Sequence, residues 1–317
     1  MDEKSERLLT EATPVSTTCW LEGPVCDALQ NIYFTDVRGN RILRQDRDGQ
    51  LTVFRGPQAA NYPNGQALDP QGRLVTCEEG DPETNTPPRL TRTDLETNAV
   101  EVLADNFEGQ RFCGPSDVAI DRKGNIYFSD GVRPFFLAPF TSASSRVPAT
   151  VVRSPSVFRL NNRGVLKRIL GDGDVLQPNG VALSPDERTL YVVENDISEV
   201  GTRQLRSFAL TEEGLPLDRE ILVEFSPGRS ADGLAVDVDG NLYVAAGLNR
   251  LRGTAETLAT PAGIHVFSPL GEKIDFIPVF EDSVTNVTFG GNDMRDLYIT
   301  AGKTLFKARG RLKGARR

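Results

Sequence analysis

The sequence has little imidazole or thiol chemistry to offer, since it contains one histidine and four cysteines. The cysteines are Cys19, Cys26, Cys77 and Cys113. Their spacing matches no zinc pattern such as C-x2-C, so we expect reduced, buried thiols. A thiol nucleophile is disfavoured because only His265 could activate it, and this histidine lies in an alternating sequence typical of a structural strand. The same shortage argues against a Ser-His-Asp triad.

Long apolar runs are also missing. No stretch is long enough to cross a membrane, and residues 1–7 are charged and lack the apolar core of a signal peptide. We therefore predict a cytoplasmic protein with no membrane partner. Lysine and arginine number 36 against 44 acidic residues, and this net charge of −8 disfavours a nucleic-acid partner.

No window of helical periodicity competes with short strands, but one pattern occurs six times. A polar leading residue precedes an alternating apolar strand, a turn rich in Gly, Pro and Asp, and a second strand. The six leading residues are Glu22, Asn64, Ser116, Asn179, Asp232 and Asn286. A repeat of about 50 residues rich in short strands predicts an all-β fold, a six-bladed β-propeller with four antiparallel strands per blade.

The propeller is predicted to occupy the whole chain, residues 1–317, as a single domain with flexible ends at about 1–11 and 308–317. Segment Ala12–Leu21 is predicted to form the outer strand of the last blade, so that N- and C-terminal strands close the ring and remove a free sheet edge. The longest repeat holds an insertion at 132–155, with Phe135, Phe136 and Phe140 and no acidic residue. Two interpretations stay open, a lid over the channel mouth and a plain surface excursion or subunit contact.

In a propeller the leading residues converge at the central channel. All six are hard oxygen donors, which favour Ca²⁺, Mg²⁺ or Mn²⁺ over copper or a structural zinc. Glu22 and Asp232, with the amide of Asn179, would neutralise a divalent ion. A local explanation also exists, because Asn and Asp before Gly are common in turns; it applies most to Asn64 and Asn286.

Several motifs carry a family resemblance when taken together. They are Glu22-Gly23-Pro24-Val25, Pro63-Asn64-Gly65, Gly114-Pro115-Ser116-Asp117, Pro178-Asn179-Gly180-Val181, Asp232-Gly233 and Thr285-Asn286-Val287. In order and spacing the chain resembles the SMP-30/gluconolactonase/luciferin-regenerating-enzyme group of six-bladed propellers over about residues 15–307. The resemblance implies lactone hydrolysis at a divalent metal held by Glu22, Asn179 and Asp232.

Two positions depart from that family. Ser116 stands where members often carry Asn, and Gly114 stands where vertebrate-type members place an Arg that binds a sugar acid. These differences argue against gluconolactone itself as the preferred substrate, while the three proposed metal ligands are all present.

The resulting hypothesis is a divalent-metal-dependent hydrolase that opens a small, sugar-derived lactone. Asp232 is the candidate catalytic base, and Asn64, Ser116 and Asp117 would bind substrate hydroxyls. One ion is expected, Ca²⁺ first, with Mg²⁺, Mn²⁺ or Zn²⁺ as alternatives. Competing hypotheses are a metal-dependent hydrolase of another ester or organophosphate, and a non-catalytic propeller scaffold, which the Phe-rich insertion favours. The sequence makes no prediction of oligomeric state.

Overall fold

A computed structural model describes residues 19–81, 84–131 and 154–315. Within these ranges the regular structure is β-strand, arranged as six small antiparallel sheets, so the predicted all-β six-bladed propeller is confirmed. The described residues contain no helix long and apolar enough to span a membrane.

Each sheet is one blade, and its strands follow chain order from the centre outwards. Blade 1 contains β1 (Leu21–Cys26), β2 (Ile32–Asp36), β3 (Arg41–Gln45) and β4 (Leu51–Arg55). Blade 2 contains β5 (Pro63–Leu68), β6 (Leu74–Glu78), β7 (Arg89–Thr93) and β8 (Val100–Ala104), and a small hairpin follows it, β9 (Asn106–Phe107) and β10 (Gln110–Arg111). Blade 3 contains β11 (Pro115–Ile120), β12 (Ile126–Asp130), β13 (Ser156–Leu160) and β14 (Leu166–Leu170).

The second half of the chain repeats this order. Blade 4 contains β15 (Pro178–Leu183), β16 (Thr189–Asn195), β17 (Arg203–Leu210) and β18 (Pro216–Glu224). Blade 5 contains β19 (Ala231–Val236), β20 (Leu242–Ala246), β21 (Gly263–Phe267) and β22 (Lys273–Pro278). Blade 6 has three strands in the described part of the chain, β23 (Val284–Gly290), β24 (Asp296–Ala301) and β25 (Thr304–Arg309).

The six first strands form a closed ring, because each contacts the first strand of the next blade and β23 contacts β1. At this seam the Leu21 amide donates to the Gly302 carbonyl at 2.8 Å, and the Thr285 hydroxyl donates to the Leu21 carbonyl at 2.7 Å. Leu21 therefore begins the innermost strand of blade 1 and is not part of an outer strand. Of the rest of the segment predicted to close the last blade, Cys19 and Trp20 are in no strand, and residues 12–18 lie outside the described residues.

The core lies between neighbouring blades, where the apolar face of each sheet packs on the next. Between blades 2 and 3, Phe112, Phe128 and Phe158 are almost fully buried with ring centroids 5.2 to 5.4 Å apart. Fully burying one such side chain contributes about 1.5–3 kcal/mol. This packing fixes blade 3 against blade 2 and so fixes the relative position of their first strands.

The predicted turns between the first and second strands are present. In blades 2, 3 and 5 the turn glycine donates its amide to the carbonyl of the Asp three residues earlier, over 2.8 to 3.1 Å. These pairs are Gly72 with Asp69, Gly124 with Asp121, and Gly240 with Asp237. Each glycine has φ between +76° and +86°, which accounts for the residue type.

Four blades end their second strand with a fully buried carboxylate. These residues are Asp36, Glu78, Asp130 and Glu194, and blades 5 and 6 carry Ala246 and Ala301 there. Asp130 accepts the Gly114 amide at 2.7 Å and Glu194 accepts the Gln177 amide at 2.8 Å. Asp36, Asp130 and Glu194 thus hold the chain just before the first strand of their own blades, whereas Glu78 binds Arg55 and Arg89.

The 132–155 insertion joins β12 to β13, and residues 132–153 lie outside the described residues. Its role as a lid or as a surface excursion stays a prediction, as does the flexibility of residues 1–11. Near the other end, residues 313–315 return to blade 5, where the Val238 amide donates to the Lys313 carbonyl at 2.9 Å and the Ala315 amide to the Val236 carbonyl at 2.9 Å.

Candidate functional site

All six first strands have a break in register at the leading residue. In blade 1 the pairing with β2 shifts between Glu22 and Val25, and in blade 5 the pairing with β20 shifts between Ala231 and Leu234. In blades 2, 3 and 4 the break spans the leading residue in the same way, and in blade 6 it lies between Val284 and Asn286, immediately before the leading residue. A β-bulge bends the strand and redirects a side chain. The leading residues are all buried, so the six bulges bring six polar side chains into the interior of the ring.

A glycine follows the leading residue in four blades because the neighbouring first strand lies against it. A Cβ atom on Gly180 would be 3.0 Å from the Gly233 Cα atom, and one on Gly65 would be 2.5 Å from the Ser116 carbonyl oxygen. These pairs are inside strands, so the Asn-Gly and Asp-Gly sequences are not turns here. The local turn explanation considered for Asn64 is wrong, since Pro63–Leu68 is strand β5.

Three consecutive blades share one chain of hydrogen bonds. The Ser116 hydroxyl donates to Asn179 Oδ1 at 2.9 Å, and Asn179 Nδ2 donates to Asp232 Oδ1 at 2.5 Å. Arg229 Nη2 then donates to Asp232 Oδ2 at 2.6 Å, in an ion pair whose two side chains are both buried. The structure therefore brings together two of the predicted metal ligands and one predicted substrate contact.

The remaining predicted residues lie on blades 1, 2 and 3, and Asn286 lies on blade 6. Asn286 Nδ2 donates to Glu22 Oε2 at 3.3 Å across the seam between blades 6 and 1. Asp117 accepts the Val181 amide at 3.1 Å, which ties its carboxylate to blade 4. Asn64 donates its amide to Glu79.

Three carboxylates, those of Glu22, Asp117 and Asp232, interact electrostatically in this interior. Burial raises the pKa of Glu22 well above its usual range, and the negative charges of Asp232 and Asp117 raise it further. Burial also raises the pKa of Asp117 to about 7; the Val181 amide opposes that rise and the charge of Asp232 adds to it. Charged groups in such surroundings need either protons or a cation between them.

The donor set fits a divalent cation. The carboxylates of Glu22 and Asp232 and the amide oxygen of Asn179 are the hard ligands that Ca²⁺, Mg²⁺ and Mn²⁺ prefer. A cation would also offset the repulsion that raises the pKa of Glu22. Among the described residues no group of three or more His, Cys, Asp or Glu side chains is placed to hold a metal ion. The predicted metal ligands, Glu22, Asn179 and Asp232, include only two such side chains, and the third ligand is an amide oxygen.

No prediction from the sequence covered the buried arginine that pairs with Asp232. Arg229 lies in the segment that leads into β19 and is 2% exposed, with its charge paired to Asp232. The only sequence signal was an Arg three residues before the Asp, in a stretch that reads as loop. Glu79, the partner of Asn64, was also missed because it lies between the repeats.

His265 and the cysteines stand apart from these contacts. The ring Nε2 of His265 is 2.9 Å from the Pro261 carbonyl oxygen, and the ring packs against Phe276 with centroids 4.6 Å apart. None of the four cysteines forms a disulfide bond; Cys77 is buried and the others are partly buried. Burial raises the pKa of Cys113 to about 12, which makes its thiol a poor nucleophile at neutral pH.

The chain is similar to known proteins along most of its length. The model of the SMP-30/gluconolactonase/LRE-like region matches residues 20–303. A gluconolactonase from Zymomonas mobilis subsp. mobilis is 26% identical, over 96% of this chain and 83% of its own length. A 6-deoxy-6-sulfogluconolactonase from Pseudomonas putida is 34% identical, over 86% and 80%. The solved structure of a gluconolactonase from Xanthomonas campestris has a TM-score of 0.74 and 30% identity, covering 92% of this chain and 86% of that one.

Proposed function

Because this chain belongs to the SMP-30/gluconolactonase/luciferin-regenerating-enzyme-like family, we propose that it is a lactonase, which hydrolyses the ring ester of a sugar-derived lactone with the help of one bound divalent cation. Relatives named gluconolactonase and 6-deoxy-6-sulfogluconolactonase, which align along most of the chain, support the reaction class. A small-molecule lactone is then the partner, and the predictions of a cytoplasmic location and of no nucleic-acid partner stay predictions.

The observation that carries this proposal is the convergence of oxygen donors from separate blades. Asn179 and Asp232 are in direct contact, although they lie 53 residues apart in sequence, and the charge of Asp232 acts on Glu22. Burying three like-charged carboxylates together is unfavourable unless positive charge compensates them. A bound divalent cation would supply that positive charge, with Ca²⁺ the first candidate and Mg²⁺, Mn²⁺ or Zn²⁺ as alternatives.

Glu22, Asn179 and Asp232 would hold the cation, which when bound would polarise the lactone carbonyl and stabilise the negative charge that develops on its oxygen. The protein supplies the rest. Asp232 accepts hydrogen bonds on both carboxylate oxygens, from Asn179 and from Arg229, so the plane of its carboxylate is fixed. In that position it acts as the base that orients and deprotonates the attacking water.

The remaining polar side chains orient the substrate and its neighbours. The hydroxyl of Ser116 fixes the Asn179 amide, which presents its nitrogen to Asp232. Asp117 and Asn64 line the same interior from blades 3 and 2, where they would bind substrate hydroxyls. Hydrogen bonds within the protein therefore position the proposed base before the lactone binds.

The two competing hypotheses differ in what they require of this site. A hydrolase of another ester or an organophosphate would use the same carboxylates and amide with a different substrate. A binding scaffold would need no buried carboxylate cluster and would instead expose an apolar patch on one rim. The charged interior of the ring favours catalysis over the scaffold.

A chelation experiment on a lactone panel tests the proposal. The purified protein is treated with EDTA and desalted, and proton release from glucono-δ-lactone and other sugar lactones is followed with a pH indicator. We expect activity to fall at least 100-fold and to return with Ca²⁺ or Mn²⁺. Activity unchanged after complete removal of metal would refute the cation, and hydrolysis of aryl esters or organophosphates but not of lactones would identify the alternative substrate class.

A further inference from the structure

A second charged cluster adjoins the site and shares one residue, Arg229, with the mechanism above. It consists of Arg229, Arg252 and Glu256, called the arginine cluster below. Arg252 and Glu256 lie in the connection between β20 and β21, which is at the same end of blade 5 as the start of β19. The Thr257 amide donates to the Pro227 carbonyl at 2.9 Å, so this connection is fastened to the segment that carries Arg229.

The two guanidinium groups reach neighbouring residues at the start of blade 6, one each. Arg252 Nη1 donates to the Ser283 hydroxyl at 3.0 Å, and Arg229 Nη1 donates to the Val284 carbonyl at 2.9 Å. Each arginine also has a carboxylate partner, Asp232 for Arg229 and Glu256 for Arg252 at 2.9 Å. Two positive groups therefore lie side by side, and the charge of Arg229 adds to burial in lowering the pKa of Arg252.

Three atoms of the cluster are buried and have no hydrogen-bond partner. They are the Nε atoms of Arg229 and Arg252 and the Oε1 atom of Glu256. Arg229 and Glu256 are each 2% exposed. An unsatisfied buried polar atom costs about 1–3 kcal/mol, and a ligand that accepts from the two Nε–H groups would remove that cost for both donors. The Arg252 side chain keeps 23% of its surface exposed, which leaves the cluster open to solvent on that side.

We propose that the arginine cluster binds an anionic group, a sulfonate or a phosphate, carried on the lactone that this enzyme hydrolyses. The proposal rests on the proposed function. A tetrahedral anion has oxygens enough to accept from both guanidinium groups, and arginine is the side chain best suited to such anions. Its negative charge would also offset the repulsion between Arg229 and Arg252.

The position of the cluster limits where the anion sits on the substrate. Arg229 bonds directly to Asp232, so the anion subsite shares a residue contact with the proposed catalytic base. The charged group must therefore lie on a short arm of the lactone. Glu256 would distinguish a phosphate from a sulfonate. A hydrogen phosphate has an O–H to donate to the Oε1 atom of Glu256, and a sulfonate has none.

The test compares one neutral lactone with two charged ones. Glucono-δ-lactone, its 6-phosphate and its 6-deoxy-6-sulfonate are assayed with the metal-loaded wild type, with Arg252→Gln and with Arg250→Gln. Arg250 is an exposed arginine of the same connection and serves as the matched control. We expect the wild type to prefer a charged lactone by about tenfold or more in kcat/KM. Arg252→Gln should lose that preference mainly through KM, with less than a threefold change on the neutral lactone, while Arg250→Gln keeps it.

The opposite results would overturn the subsite. An equal loss on neutral and charged lactones would mean that Arg252 only supports the loop, and absence of a charge preference in the wild type would mean that no anion binds. The variant Arg252→Gln with Glu256→Gln avoids leaving one buried charge unpaired, so it replaces the single variant if that one fails to fold. Preference for the phosphate over the sulfonate that disappears in Glu256→Gln would identify hydrogen phosphate as the ligand.

The subsite can also be judged if the proposed function fails. Calorimetric titration with 6-phosphogluconate and with gluconate needs no turnover. Tighter binding of 6-phosphogluconate to the wild type, lost in Arg252→Gln, would support the anion subsite in a protein that is not a lactonase. Equal binding of the two compounds would refute it.

Discussion

Asn179 and Asp232 meet across two neighbouring first strands, with Asn179 Nδ2 donating to Asp232 Oδ1 at 2.5 Å. The contact depends on a bulge in each strand and on the absence of side chains at Gly180 and Gly233, which let the strands come close. It fixes the amide and the carboxylate relative to each other before any ligand arrives. Preorganisation of this kind is what a catalytic site requires of its ligands.

Replacing Asp232 by Asn should nearly abolish turnover. The change keeps the shape of the side chain but removes the proposed base and one proposed negative ligand, and it leaves the buried Arg229 without its carboxylate. We expect kcat on the best lactone to fall about 10²–10⁴-fold and Mn²⁺ affinity by calorimetry to fall at least tenfold. Asp239→Asn, in the exposed turn of the same blade, is the control. Substantial activity at unchanged metal content would remove Asp232 from the mechanism.

The Gly180→Ala variant should lose both stability and activity. The added methyl group would be 3.0 Å from the Gly233 Cα atom and from a methyl carbon of Leu234, so first strands β15 and β19 would have to separate. Overpacking of this kind costs about 1–3 kcal/mol, and the Asn179–Asp232 contact would lengthen. Urea denaturation and lactone assays measure the two effects. The matched change Gly56→Ala meets no atom closer than 3.4 Å and should leave both quantities unaltered.

Stability without metal should depend on pH through Asp117. Burial raises its pKa to about 7 in the folded chain, whereas an unfolded Asp has a pKa of about 3.9. Folding is therefore favoured by this group below pH 4, and that contribution is lost as pH rises through 7, up to roughly 4 kcal/mol in all. Urea midpoints in EDTA at pH 5 and pH 8 measure the change. Asp117→Asn should flatten the profile, and identical profiles for the two proteins would contradict the assignment.

Removing the Ser116 hydroxyl should weaken catalysis without abolishing it. Ser116→Ala leaves Asn179 Oδ1 without the donor that fixes the amide, a loss of about 1 kcal/mol, or roughly fivefold in rate. The effect should appear in kcat and in metal affinity, since Asn179 is a proposed ligand. Ser198→Ala, in the exposed connection between β16 and β17, is the control. A change confined to KM would instead make Ser116 a substrate contact, as its sequence position suggested.

The sequence predicted the repeat well because each blade carries its own copy of the strand and turn pattern. The hairpin turns that begin at Asp69, Asp121 and Asp237 could be recognised because their bonds lie within four residues. The bulges could not, since the residue that redirects the side chain is defined by pairing with the next strand. The packing role of the glycines after the leading residues could not be predicted for a related reason: their neighbours come from another blade.

The same limit applies to the site. Glu22, Asn179 and Asp232 could be nominated from repeated positions, and the structure places all three on first strands. Arg229 and Arg252 have no counterpart in the other repeats, so comparison of repeats gave no hint of them. Their meeting at Ser283 and Val284 arises only when blade 6 docks on blade 5.

The seam between blade 6 and blade 1 has a consequence for synthesis of the protein. Leu21 and Glu22 emerge from the ribosome early, but their partners Thr285 and Asn286 each follow 264 residues later. A nascent chain with five folded blades would lack the contacts between blade 6 and blade 1, and the candidate site would be open on that side. Enzymatic competence would then arrive in a single late step, when the final blade docks, and truncated products would be inert however well their finished blades had folded.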